Sequence, residues 1–340
     1  MLSKISFGLG ISTGAEGLMY PIPYASVREV VEISVLAEEL GFDSVWGNDH
    51  ITTQQYVLNE FGKQPRYYAP LITLAAIAER TKTLKIATAL LVIPFRNPVI
   101  IAKELATLDN LSDGRLIVGV GLGAYREEFE AEFGAKAKDL VRGKMLDESL
   151  YLVNRMFNEE SVTYDGEYFS IKNVNCFPKP VQKSFPFYIG GNSDKGLDRV
   201  VKCGTGWLPA CLTVEEISDG VNKLKEKFRA AGREYNIDVA PQMFISIAPT
   251  KEEAVEKWEK SQLCIHANSL QNSTFKGRDL SDYFARNIIG SPEDVIKKID
   301  QYIEAGVTRF SALLFPNNNI EETREDMKFF ADTVIKHYNK

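Results

Sequence analysis

The chain has 340 residues, 44% apolar and 25% charged, with a formal net charge of −6. That balance belongs to an ordinary globular protein and excludes a disordered chain, a collagen-like repeat and a coiled coil. No apolar run approaches the roughly 18 residues of a membrane helix, and the acidic excess leaves nucleic acid without the clustered Lys/Arg it requires.

Strand and helix signals alternate from end to end. Ile5–Ile11 reads as a strand that runs into the turn cluster Gly14-Ala15-Glu16-Gly17. Ser26 with Glu29 makes a capping box, and Val30, Ile33, Ala37 and Leu40 recur at helical spacing up to Gly41. The second strand is Asp43–Gly47, followed by a polar, aromatic loop to Ala69. Pro70 opens a helix to Arg80. Leu84–Leu91 is the third strand, Asn97-Pro98 starts a helix to Leu111, and Arg115–Val120 is the fourth strand. A glycine-rich acidic loop then leads into a long helix predicted over 136–157. Val162–Ile171 reads as a hairpin turning on Asp165-Gly166.

The fifth strand is predicted at Phe185–Ile189, and Gly190-Gly191-Asn192-Ser193 opens a helix to Lys202. The sixth is Gly206–Cys211, followed by a Thr213-capped helix to Ala231. The seventh is Val239–Ala248. Residues 250–285 read as an insertion holding one helix and an irregular polar stretch. Ser291 caps a helix to Ala305, Thr308–Phe315 is the eighth strand, and Ile320–His337 is the last helix. Alternating strands and helices predict an α/β protein with a parallel sheet. Eight units without a linker-like break predict closure into a (β/α)8 TIM barrel, one domain over 1–340 with insertions after strands two, four and seven. An open doubly wound sheet is the rival arrangement.

In a barrel the chemistry lies at the C-terminal ends of the strands. Strand two ends in Gly47-Asn48-Asp49-His50, and His50 is one of three histidines in the chain. An imidazole beside a carboxylate at a strand end suits proton transfer near neutrality, so His50 and Asp49 are the candidate catalytic pair. His266 and His337 read as solvated or structural. Strand four runs into Gly119, Gly121 and Gly123 followed by Tyr125. Such glycines admit a ligand or simply a close neighbouring strand. Gly190 to Ser193, ahead of a helix start, is a candidate anion seat. No Gly-x-Ser-x-Gly elbow, His-Glu-x-x-His or P-loop lysine occurs. The four cysteines lack CxxC spacing, so neither zinc nor a disulfide framework is expected. The N-terminus runs straight into a strand without signal-peptide features, which gives the expectation of a cytoplasmic protein. An apolar mouth is predicted from Phe7, Trp46, Tyr56, Phe95 and Tyr125. The pattern suits an enzyme whose cofactor carries the difficult chemistry.

Several stretches together resemble the luciferase-like monooxygenases, the superfamily of flavin- and F420-dependent oxidoreductases. They include LAEELGFDSVWGNDH (Leu36 to His50), KIATALLVIPFRNPVIIAK (Lys85 to Lys103), SDGRLIVGVGLGAYREEFEAEF (Ser112 to Phe133), YDGEYF (Tyr164 to Phe169), FYIGGNS (Phe187 to Ser193) and GTGWLP (Gly204 to Pro209). The resemblance implies a TIM barrel with FMN or F420 across its mouth. It implies that Thr88, Ala89 and Leu90 bulge behind the ring with a cis Ala89–Leu90 peptide. Gly121 and Tyr125 would flank the ring, while Gly190, Gly191, Asn192 and Ser193, with Leu208, Pro209 and Ala210, would hold the phosphate. It further implies a homodimer through the early helices around Ala75 and Lys103, a small organic substrate, and a separate enzyme that supplies reduced cofactor.

The resemblance implies a monooxygenase using reduced FMN and O2. The alternative is an F420-dependent hydride-transfer dehydrogenase or reductase, and a binding-only barrel is the remaining one. One departure bears on this choice. F420-dependent sugar-phosphate dehydrogenases of similar layout carry glutamate directly after the Gly-x-Gly of strand four. Here that residue is Ala124, with Glu127 and Glu128 only later. Neither that acid nor a Lys/Arg cluster for a sugar phosphate is evident.

Overall fold

The computed structural model describes residues 5–269 and 282–339. Among the described residues there are twelve strands: β1 Ser6–Ile11, β2 Ser44–Gly47, β3 Lys85–Val92, β4 Leu116–Gly121, β5 Val162–Asp165, β6 Ser170–Val174, β7 Phe187–Gly190, β8 Gly206–Leu208, β9 Asp238–Val239, β10 Met243–Ile247, β11 Ile288–Gly290 and β12 Arg309–Leu314. The eight predicted barrel strands all occur, in order and parallel. Neighbours run β12-β1-β2-β3-β4-β7-β8-β9. Helices cover the outside and side chains fill the inside, so these strands are buried on both faces and read as near-continuous apolar runs.

β9 and β10 are two parts of the single predicted strand seven, and this run closes the barrel. On one side the Ala240 and Gln242 amides donate to the Trp207 and Pro209 carbonyls at 2.9 and 2.8 Å. On the other, the Ser311 amide donates to the Pro241 carbonyl at 3.0 Å, and β10 pairs with β12. Pro241 has no N–H to give, which interrupts the ladder between the two halves.

The interior of the barrel is small-sided. Trp46, Ala87, Ile117, Tyr188, Leu208, Ala240 and Ala312 pack there. A Cβ on Gly8 would lie 2.4 Å from the Trp46 ring nitrogen, so β1 turns its glycines inward. Phe7 therefore faces outward, stacked on Phe310 and edge-on to Phe330, and not into the mouth as predicted. Trp46 lies beneath the mouth, its Nε1 donating to Ser44 Oγ at 2.8 Å.

Several boundaries differ from the prediction for identifiable reasons. The helix predicted over 136–157 starts only at Arg142 and runs to Asn158, and the acidic loop ahead of it carries a further helix, Arg126–Phe133, joined to it by a 3-10 segment, Gly134–Asp139. Gly134, at φ 56°, ends that further helix. The hairpin forms, but over a four-residue loop closed by Gly166 N–H to the Phe169 carbonyl, because the Glu148 carboxylate accepts from the Tyr168 and Phe169 amides. Among its described residues the insertion after strand seven carries the helices Lys251–Glu259 and Gln262–Ser269, and a short one, Tyr283–Arg286, begins at its end. Its 270–281 part lies outside the described residues. β11, which pattern did not reveal, adds itself in parallel to β10.

Candidate active site

The loops after the strands converge on a cleft of about 560 Å³ at the C-terminal end of the barrel. Its walls come from the ends of β2, β3, β4, β7, β8 and β10, with Leu18 and Met19 of the loop after β1. Twelve of the fourteen predicted site residues line it: Asp49, His50, Ala89, Leu90, Gly121, Tyr125, Gly190, Gly191, Asn192, Ser193, Leu208 and Ala210. Thr88 and Pro209 lie behind the wall. Thr88 Oγ1 donates to the Gly119 carbonyl at 2.8 Å, and the Pro209 carbonyl takes the Gln242 amide.

The end of β2 is held rigidly. Thr13 Oγ1 donates to the Asn48 carbonyl at 2.6 Å, and the Asn48 amide exchanges two hydrogen bonds of 2.8 Å with Gly14. Asp49, 4% exposed, is gripped by Arg96 through both oxygens at 2.6 and 2.9 Å and accepts from the Val92 amide at 2.9 Å. Its lone pairs tie the end of β2 to the end of β3, which suits a positioning role.

His50 stands differently. Its Nδ1 lies 3.1 and 3.3 Å from the two carboxylate oxygens of Glu128, a residue 1% exposed. The Ile51 amide donates to the same carboxylate at 3.0 Å. Gln54 Nε2 also lies 3.3 Å from Nδ1; a carboxylate accepts only, so with Nδ1 protonated the nearer Glu128 takes its proton and Nε2 is left as the basic nitrogen. Glu128 comes from the helix Arg126–Phe133, four residues beyond Ala124. The rings of Tyr67 and Tyr125 flank the imidazole at 5.4 and 5.7 Å.

The opposite part of the cleft has a floor and a rim. The Ala89–Leu90 peptide is cis, as the resemblance implied, and pairing with β4 slips between Thr88 and Leu91. The bulge brings Leu90 beneath Gly121 and Gly190, where a Cβ would come within 2.5 and 2.4 Å of its side chain. At the rim, Asn192 pairs with the Ala210 backbone in both directions at 3.1 and 3.2 Å. Trp207 Nε1 donates to the Gly191 carbonyl at 3.0 Å. Gly191, at φ 122°, has open space where a Cβ would stand. Ser193 caps the helix Asp194–Cys203 through the Gly196 amide. An apolar floor, an open glycine rim and a helix start fit a flat ring with a phosphate-bearing chain in both size and chemistry.

Of the two readings of His266, solvated or structural, burial excludes the first. The residue is 5% exposed, lines the same cleft as His50, and its Nδ1 has no hydrogen-bond partner among the described residues. His337 is exposed, as expected. Burial, with the field of His50 as the lesser cause, pushes the His266 imidazole down to about 4. The unfolded chain takes up this proton near pH 6.5 and the folded chain resists it. Stability is therefore retained above about pH 6.5, falls between 6.5 and 4, and levels off below, an effect of about 3 kcal/mol at most. Urea midpoints measured from pH 7.5 to 4 should fall less steeply for His266→Leu than for wild type. Equal slopes would refute the assignment.

Cys211 also lines the cleft, but burial pushes its thiol up to about 12, which leaves it inert as a nucleophile. Of the predicted mouth aromatics, Tyr125 lines the cleft, Phe95 packs on Phe129 at 4.6 Å instead, and the Tyr56 side chain lies outside what the structure describes. Among the described residues no metal-binding cluster occurs, and no helix is long and apolar enough to cross a membrane.

With few side chains of its own able to carry redox chemistry, a barrel-mouth cleft of this design serves a bound organic cofactor. The profile of the luciferase-like monooxygenase family matches residues 5–309, and the chain belongs to that family. Membership places it among the flavin- and F420-dependent oxidoreductases. It is 28% identical over 325 residues to the F420-dependent glucose-6-phosphate dehydrogenase of Amycolatopsis mediterranei (strain U-32), covering 91% of this chain and 94% of that one. Its fold is similar to that of the monooxygenase RslO1 from Streptomyces bottropensis, with TM-score 0.79, 23% identity and coverage of 98% and 100%. An F420-dependent secondary alcohol dehydrogenase in complex with an F420-acetone adduct is also similar, with TM-score 0.77, 22% identity and coverage of 98% of both chains.

Proposed function

We propose that the protein is an F420-dependent dehydrogenase or reductase of a small organic substrate, with His50 as the proton-handling residue. The observation that carries this reading is the buried Glu128 carboxylate on His50 Nδ1 at 3.1 Å. Bound F420 supplies a two-electron hydride acceptor or donor and leaves the O–H proton to the protein. His50 Nε2 takes that proton, and Glu128 stabilises the imidazolium that results. The absent glutamate at position 124 therefore does not count against hydride transfer. The Ala89–Leu90 bulge would back the ring, with Gly121 and Tyr125 beside it. Gly190 to Ser193 and the Leu208–Ala210 segment would hold the phosphate, and Asp49 would fix the loop that carries His50.

The 28% identity to an F420-dependent dehydrogenase along nearly the whole chain supports this choice. The monooxygenase reading, with reduced FMN and O2, is supported by the family description and by the fold likeness to the monooxygenase RslO1, but it gives the buried Glu128 carboxylate on His50 no particular task. Titrating the purified protein with F420 and with FMN, each followed by fluorescence quenching, separates the two. F420 is expected to bind the more tightly. Tight binding of FMN alone would restore the monooxygenase, and binding of neither would sink both.

A homodimer is part of the proposal. Ile72 and Ile100 are 75% and 58% exposed on the helices Pro70–Arg80 and Pro98–Leu111, next to Ala75 and Lys103. Exposed isoleucines on adjoining helices suit a self-complementary contact. Sedimentation of Ile72→Asp should show a monomer where wild type shows a dimer; a dimeric variant would reject this face. We place the protein in the cytoplasm, with its four thiols free, and with the opposite half-reaction of its cofactor carried out by a separate enzyme.

A further inference from the structure

The cleft holds a second imidazole that the proton-handling scheme does not use. His266 comes from the insertion after strand seven, on the helix Gln262–Ser269. That helix is anchored at its start: Ser261 Oγ accepts from the Cys264 amide at 3.1 Å, and Gln262 Nε2 donates to the Leu18 carbonyl at 3.3 Å. Phe244 packs edge-on against the imidazole at 6.4 Å. The ring is thus fixed, buried and at the cleft wall, yet among the described residues its Nδ1 meets no hydrogen-bond partner. A buried polar nitrogen left unpaired is costly, and such groups are normally satisfied by the protein or by a ligand.

The charges point the same way. Among the described residues no Lys or Arg lines the cleft, and its two carboxylates, Asp49 and Glu128, are engaged by Arg96 and His50. An anionic substrate would sit near those carboxylates without a counter-charge, at a large desolvation cost. A neutral substrate meets no such penalty, and Leu18, Met19 and Phe244 offer it an apolar wall.

We propose that His266 is the second hydrogen-bonding arm of the substrate site. It shares with His50 the oxygen of a neutral alcohol or carbonyl compound whose apolar body lies against Leu18, Met19 and Phe244. In the oxidising direction bound F420 would accept the carbinol hydrogen with its electron pair as hydride, the hydroxyl proton would go to His50 Nε2, and a carbonyl compound would leave. His266 stays neutral because burial keeps it so, and it orients the oxygen without taking a proton. The inference rests on the hydride-transfer reading, adding a substrate class and a residue.

The three histidines of the chain make the test direct. Protein labelled with 15N-histidine and saturated with F420 is titrated with cyclohexanol, cyclohexanone and glucose 6-phosphate. The neutral pair should shift the ring signals of both His50 and His266 saturably and leave exposed His337 unmoved, while glucose 6-phosphate shifts none. Movement of His50 alone, equal movement with glucose 6-phosphate, or no movement with either neutral probe overturns the proposal. In parallel, His266→Leu should raise KM for cyclohexanol at least about tenfold with F420 affinity within about twofold of wild type, and His266→Gln should recover most of the loss. An unchanged KM in His266→Leu also overturns it. Cofactor affinity of the wild type is measured separately, so failure of the F420 reading is distinguishable from failure of this one.

Discussion

Replacing His50 with alanine is expected to lower kcat at least about tenfold, and toward the hundredfold typical of a lost general acid or base, while the fold and cofactor affinity persist. The side chain sits at the cleft wall, 13% exposed, so its removal opens room for water and leaves no void in the core. Glu128→Gln tests the partner. The amide keeps the shape but withdraws the negative charge that favours imidazolium, and it is expected to lower kcat by about tenfold, roughly 1.4 kcal/mol of transition-state stabilisation. Because Glu128 acts on the reaction through His50, adding Glu128→Gln to His50→Ala should cost little more than His50→Ala alone. Turnover unchanged in His50→Ala, or fully additive losses in the double variant, would remove the pair from the reaction.

What sequence could reveal follows from the range of the interaction involved. Caps are local. The helix Pro70–Arg80 forms over the predicted residues, and Ser26–Glu29 and Thr213–Glu216 make the capping boxes their spacing encodes. His50 was legible because it ends a strand, and strand ends carry barrel chemistry. Glu128 shows in the sequence only as an acidic residue near Ala124, since its partner lies 78 positions away and the short helix that aims it follows a glycine-rich stretch that predicts a loop. Arg96 reaches Asp49 across 47 positions for the same reason. His266 sits in an insertion without a clear period, so burial could not be read from pattern. Phe7 was misplaced because a strand buried on both faces does not announce which parity points inward. Gly8 and Gly10 face the interior, and that parity was set by the bulk of Trp46 and Leu314, known only once the strands are side by side.

The glycine run of strand four was ambiguous between a ligand site and close packing, and the geometry divides it. Ile117, Gly119 and Gly121 share one face of β4, toward the barrel interior. A Cβ on Gly119 would lie 2.1 Å from the Thr88 carbonyl oxygen and 2.7 Å from a Leu208 methyl. The first is backbone in a paired strand, and Thr88 Oγ1 reaches back to the Gly119 carbonyl at 2.8 Å, so neither strand can yield alone. Gly119→Ala is therefore expected to cost about 3 kcal/mol or more, the upper part of the overpacking range, and to yield a markedly lower urea midpoint or insoluble protein. At Gly121 the obstacle is the end of the Leu90 side chain, 2.5 Å away, which can rotate. Gly121→Ala is expected to cost less than about 1.5 kcal/mol of stability, since a side chain yields where a carbonyl cannot. It would instead weaken cofactor binding, because Leu90 is displaced into the cleft floor. The opposite ordering, a stable Gly119→Ala beside an unfolded Gly121→Ala, would show that the close approach of β3 and β4 is not what requires glycine at 119. The run would then have to be explained from the ligand side.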